Sequence, residues 1–197
     1  MGDDYPELTV ADAAEWSRWL GEHSAESPGV WLVLAKRGTS KPTSLTYDEA
    51  LEEAICHGWI DGQLAKRDDR TYRRRFTPRR PGSAWSKRNV ALVDRLTDEG
   101  RMKPAGTEAV ERAKADGNWD GAYAGSSSIA VPADLAAELA ASQSAQTMFE
   151  RLDAANRYAI LYRVTTAKRA ETRQRRIEQF VAMLAAGETI HPQRPSS

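Results

Sequence analysis

The stretch WIDGQLAKRDDRTYRRRFT, residues 59–77, decides the fold. Its flanks hold Trp, Ile, Leu, Tyr, Phe and Thr, which suit a pleated surface, and its middle holds Arg67, Asp68, Asp69 and Arg70, where aspartates favour a tight turn. Two strands, residues 59–66 and 71–77, therefore form a hairpin. Alternation sends Tyr72, Arg74 and Phe76 to one face and Arg73 and Arg75 to the other, while Trp59, Asp61 and Gln63 share a face of the first strand. Asp61 can then stand opposite Arg73, Arg74 or Arg75.

Upstream, VWLVLAK (30–36) is a short, branched, apolar run of the kind found in a buried central strand. Before it, LTVADAAEWSRWLGEH (8–23) has Ala13, Trp16, Trp19 and Leu20 on one helical face, with Thr9 placed to cap and Asp12 at the third helical position. TYDE (46–49) is a capping box that opens a helix at Tyr47, whose apolar stripe is Ala50, Leu51, Ala54 and Ile55 and whose stop is Gly58.

Downstream, two prolines and a glycine make TPRRPGSAW (77–85) a loop. Helices follow from Ser86 to Gly100, with Leu92, Val93 and Leu96 on a face, and from Ala105 to Gly117. NWDGAYAGSSSIAV (118–131) is a glycine- and serine-rich connection. Three or four helices are expected from Pro132, the last presenting Ile177, Phe180, Val181 and Leu184, and the tail HPQRPSS is expected to be disordered. The fold class is α+β: a small, mainly antiparallel sheet packed by helices, with a C-terminal helical subdomain. The expected divisions are an α+β core over 1–119, a linker over 120–131, a helical part over 132–187 and a tail over 188–197.

The net charge is zero, but the charge is segregated. Residues 1–30 carry seven acids against Arg18, whereas residues 66–88 carry ten bases against Asp68 and Asp69. A second basic stretch, RVTTAKRAETRQRRI, lies at 163–177. Such local fields attract anions; solvated charge paired with the acidic N-terminal segment is the plainer alternative. A single cysteine, Cys56, excludes an internal disulfide, and His23, His57 and His191 have no zinc-site spacing, so no metal and no cofactor is expected. No apolar run approaches the roughly 20 residues that span a bilayer, and the acidic start is unlike a secretory signal. The expectation is a cytoplasmic protein without membrane insertion.

CHGWIDGQ, RRRFTPRRPGSAWSKRN, GRMKPAG and AKRAETRQRRI, in that order across residues 29–187, resemble the bacterial YdeI or OmpD-associated family, also called bacteriocin-protection proteins. His57 and Ala170 depart from the family pattern, standing where an aromatic residue and a proline would be expected. The resemblance implies a stress-protection context, with GWIDG and FTPRRPGSAWSK as its candidate surface. It implies no catalytic mechanism.

Arg74, between Tyr72 and Phe76, needs a partner, because a buried unpaired guanidinium costs several kcal/mol. Asp61 is the nearest candidate, either as a structural pair or as the group that orients an arginine for a ligand. Lys87 and Arg88 occupy the first turn of a helix, where the dipole disfavours cations by about 0.3 to 1 kcal/mol each. An anion would relieve them: Ser83, Ser86 and Lys87, backed by Arg79 and Arg80, can cradle a phosphate or carboxylate, with Trp59 and Trp85 as walls. The alternative is that Trp85 anchors the loop into the core. Cys56 and His57 are adjacent on a helix end and diverge, and neither GSSS nor GTSKPTS has the spacing of a nucleophile elbow or phosphate loop. No catalytic residue is assigned, and whether a reaction is catalysed stays open. The partner expected is a small anionic ligand. Nucleic acid, an acidic protein partner and a homodimer remain as other readings.

Overall fold

The computed structural model describes residues 5–125 and 128–193. The chain divides into two compact units, Met1–Ala122 and Tyr123–Ser197. The first holds β1 (Glu7–Leu8), α1 (Ala13–His23), β2 (Val30–Ala35), α2 (Tyr47–Cys56), β3 (Trp59–Lys66), β4 (Thr71–Pro78), α3 (Lys87–Asp98) and α4 (Pro104–Ala115). The second holds α5 (Ala133–Ala140), α6 (Gln143–Glu150), α7 (Ala154–Thr165) and α8 (Ala170–Ala185). The fold is α+β.

The sheet runs β1-β2-β4-β3. β2 and β3 both pair antiparallel with β4, so the hairpin brings its second strand, not its first, against the apolar central strand. β2 is buried along its whole length. Its Val30, Leu32 and Leu34 join Trp16, Leu20 and Phe76 in the core beneath α1 and α2. On the opposite face the Arg73 guanidinium lies 5.1 Å from the Trp31 ring centroid, so its stem shields the indole.

Glu7 and Leu8, which the sequence reading left unassigned, form a parallel edge strand on Trp31 and Leu32 of β2. A two-residue strand has no periodicity to reveal it. Asp12, not Thr9, caps α1; its carboxylate accepts from the Glu15 N–H, and Glu15 reaches back to the Ala11 N–H at 2.6 Å. Thr9 lies too early, because Val10 is buried in the core before the helix begins. Thr46 and Glu49 form the capping box of α2, and Gly58, at φ +75°, ends it.

A bulge between Asp61 and Leu64 breaks simple alternation in β3. Asp61 stands opposite Phe76 and Leu64 opposite Arg74, so Leu64 takes the face on which alternation would have put Gln63. The turn is built by Asp68: one carboxylate oxygen accepts from the N–H groups of Arg70 and Thr71, the other from the Thr71 hydroxyl and from Arg67. These donors hold the Asp68 carboxyl down to about 2, the Thr71 hydroxyl contributing most.

In the second unit Leu135, Leu139, Phe149, Ile160, Ile177 and Leu184 form the core among the four helices. The start of the tail is hydrogen-bonded to the rest of its unit. The buried Asn156 amide donates to the His191 carbonyl and accepts from the His191 N–H, and Gln193 bonds Asp153 and Arg151. The last four residues, and residues 126–127 of the connection, lie outside the described residues. Among the described residues no helix is long and apolar enough to cross a membrane.

Candidate functional site

The β3–β4 hairpin and the first turns of α2 and α3 bring Asp61, Arg74, Tyr47 and Arg88 together. The bulge makes this possible. Asp61 faces Phe76, and Arg74, two residues back on β4, is its diagonal neighbour on the same face. Arg74 Nε lies 3.2 Å from Asp61 Oδ2 and donates to the Gly62 carbonyl, which the bulge turns toward it. Gly62 leaves little room: a Cβ there would stand 3.1 Å from Arg75 Nε.

Tyr47, the first residue of α2, completes the group. Its hydroxyl donates to Asp61 Oδ2 at 2.9 Å, and the Arg74 guanidinium lies 4.3 Å from its ring centroid. Arg88, from the first turn of α3, lies 5.4 Å from the same ring and donates to Asp48 at 2.7 Å. Burial first and the Asp61 charge second push the Tyr47 hydroxyl up to about 12, with Arg74 and Arg88 opposing. It stays a proton donor at neutral pH. Arg74 is thus fixed through Nε and through its flat face, and among the described residues its two Nη groups make no hydrogen bond.

The remaining expected site residues are placed elsewhere. Trp59 is 1% exposed, edge-on to Trp16 and Trp19 in the core, and presents no free face. Trp85 is 2% exposed in the separate core of α2, α3 and α4, where Trp119 packs against it. Its other cover is Arg79, itself buried, whose guanidinium lies 3.5 Å from the indole centroid and donates to the Ala84 carbonyl. Trp85 therefore anchors the loop, and neither indole is a ligand wall. The hollow beside Arg79, Arg80 and Ser83 has a cavity volume of about 10 Å³, room for about one water. Ser86 uses its side chain to cap its own helix, accepting from the Asn89 N–H. Lys87 is exposed beside Arg88. The expected phosphate cradle in the 79–87 loop is therefore not assembled.

Nor does the basic stretch stand as open charge. Glu7 of β1 pairs with both Arg67 and Arg73, and Asp68 also holds Arg67. Part of the positive field is neutralised within the chain, by Glu7 on Arg67 and Arg73, by Asp61 on Arg74 and by Asp48 on Arg88. Pairs this exposed add little stability. Cys56 is buried, and burial pushes its thiol up to about 11, so it is a protonated core residue at neutral pH.

Sequence reasoning found Asp61 and Arg74 but missed Tyr47 and Arg88 as their companions, and missed Glu7 as the partner of Arg67 and Arg73. Tyr47 carried one signal, an aromatic residue directly after a capping threonine; its bond to Asp61 of the hairpin is a tertiary contact that no local pattern shows.

Compared with known families, residues 8–109 match the family described as Domain of unknown function (DUF8412). Residues 128–187 match the family described as Bacteriocin-protection, YdeI or OmpD-Associated. The first match spans the sheet and its helices, including three of the four motifs noted above, and the second spans α5 to α8. The curated proteins and the solved structures give no match. By the first match, which covers more than half of its length, the chain belongs to the DUF8412 family, and the second makes residues 128–187 similar to the YdeI or OmpD-associated, bacteriocin-protection family.

Proposed function

We propose that the protein binds a small phosphate- or carboxylate-bearing molecule at Arg74, with Arg88 as a second cation and Tyr47 as the stacking surface beneath. The carrying observation is the state of Arg74. Its Nε is held by Gly62 and Asp61 and its face by Tyr47, while its Nη fork makes no hydrogen bond among the described residues and its side chain is 23% exposed. A guanidinium fixed in this way loses little side-chain entropy on gripping an anion, and its fork matches two oxygens at once. Asp61 positions the arginine; it does not touch the ligand. The setting proposed is cytoplasmic, and the role is in protection against bacteriocins, the context named by the C-terminal family match.

Calorimetric titration of the full chain with inorganic phosphate at low ionic strength tests this reading. Arg74→Met should weaken binding at this site by about tenfold or more, the value of a charge-assisted hydrogen bond, and Arg88→Met by less. Equal affinity in wild type and Arg74→Met would overturn it.

A further inference from the structure

Leu32 of β2, Arg74 of β4 and Leu64 of β3 stand side by side in one row across the sheet, on the face that carries the core. Cover falls away along this row. Leu32 is fully buried, Arg74 is partly covered by the Tyr47 ring, and Leu64 is 59% exposed. Among the described residues it is the one large apolar side chain that is exposed.

A lone surface leucine is ordinary where it falls at random. This one occupies a core-facing position of the sheet that the helical layer leaves uncovered, and the bulge after Asp61 brings it there in place of Gln63. β3 is also an edge of the sheet. Exposed edges usually carry charge, which deters pairing with another chain, so an uncovered leucine on this strand is a liability.

Its neighbours say what can cover it. Directly paired residues of an antiparallel sheet have Cβ atoms about 4.5 to 5.5 Å apart, so Leu64 stands beside the stem of Arg74. The Nη groups of that arginine make no hydrogen bond among the described residues. In the next row towards the turn, Lys66 stands across from the half-buried Tyr72. In the other direction Asp61, already bonded by Tyr47 and paired with Arg74, stands across from Phe76. The apolar surface beside the arginine is therefore small, bounded by Lys66 at one end and Asp61 at the other. It has room for a short chain or a single ring, and the guanidinium next to it calls for an anionic head.

We infer that the molecule held at Arg74 is amphiphilic: a phosphate monoester or carboxylate whose anionic group sits on the Arg74 fork and whose short alkyl or single aryl group lies over Leu64. This rests on the reading of Arg74 given above and names the class of molecule that the site takes. Arg74 holds the charge; Leu64 selects for the apolar part.

Calorimetry of the full chain at equal ionic strength, comparing inorganic phosphate with hexyl phosphate and acetate with hexanoate, tests it. In at least one pair the hexyl compound or hexanoate should bind about tenfold more tightly than its parent anion, the effect of partly burying a few methylenes, and the pair that gains identifies the head group. Leu64→Ser should cancel the gain while leaving inorganic phosphate unchanged, and Leu64→Met should keep it. Both variants should unfold thermally as wild type, because the side chain is exposed. The inference is overturned, with the Arg74 reading intact, if neither longer compound binds more tightly than its parent or if Leu64→Ser keeps the gain. It is equally overturned if light scattering shows wild type as a dimer and Leu64→Ser as a monomer, since a second copy would then be the cover. Equal phosphate affinity in wild type and Arg74→Met is a different result, which removes the Arg74 reading itself.

Discussion

The hydroxyl of Tyr47 donates to Asp61 Oδ2 at 2.9 Å, joining the first residue of α2 to the bulge of β3. That bond makes Asp61 a hub, because the same carboxylate oxygen lies 3.2 Å from Arg74 Nε. Helix, hairpin and guanidinium are fixed by one carboxylate.

Asp61→Asn should therefore act on Tyr47 first. In wild type, one tyrosine is expected to ionise at about 12, because burial and then the Asp61 charge raise it. Removing the charge leaves burial opposed by Arg74 and Arg88, so the Tyr47 transition should move down toward the ordinary tyrosine range near 10. Ultraviolet or 13C-tyrosine NMR titration measures this, and an unmoved transition would mean that the contact is absent in solution. Asp61→Ala should also cost about 1 to 3 kcal/mol in urea unfolding by stranding Arg74 and Tyr47.

Acid sensitivity should centre on Asp68. Its folded carboxyl, held down to about 2, lies below the unfolded value near 3.9, so its contribution is complete above about pH 4 and fades as pH falls toward 2. Asp68→Asn should lower stability at pH 7 and remove this part of the pH dependence. Denaturant unfolding of both proteins between pH 2 and 7 gives the comparison, and parallel curves would contradict the assignment.

The close approach of α4 to α2 gives a sharper mutational contrast. Gly106→Ala puts a Cβ 2.1 Å from the Cys56 carbonyl, which forces backbone movement and should cost about 1 to 3 kcal/mol or more. Gly100→Ala meets nothing within 4 Å and suffers only its φ of +67°, which should cost about 1 kcal/mol. Thermal or urea unfolding ranks them; the reverse order would be inconsistent with this packing.

In the second unit, Asn156→Ala should release the segment at His191 and leave its N–H and carbonyl without protein partners. The expected loss is about 1 to 3 kcal/mol, with faster proteolysis near residue 190.

The hairpin was legible because strand chemistry, period two and a pair of turn aspartates agree over residues 59–77. The α2 capping box was legible because Thr46 and Glu49 bond each other locally. What was hidden is long-range. Glu7 meets Arg67 across 60 residues, and nothing local tells an edge strand of two residues from a tail. Trp85 was half-read: its position after a proline-glycine loop fits an anchor as well as a wall, and only Arg79 lying across the indole decides between them. The bulge at Gly62 also had to be seen before Asp61 could be given to Arg74 rather than to its neighbours.

Arg74→Lys puts the binding account to its most direct test, because lysine keeps the charge and removes the planar fork. The account predicts that inorganic phosphate binds Arg74→Lys about tenfold or more weakly than wild type by calorimetry at equal ionic strength, with the fold unchanged. Equal affinity in the two proteins would contradict it, showing that any attraction there is diffuse charge and that the guanidinium serves only to hold Tyr47, Asp61 and the hairpin together.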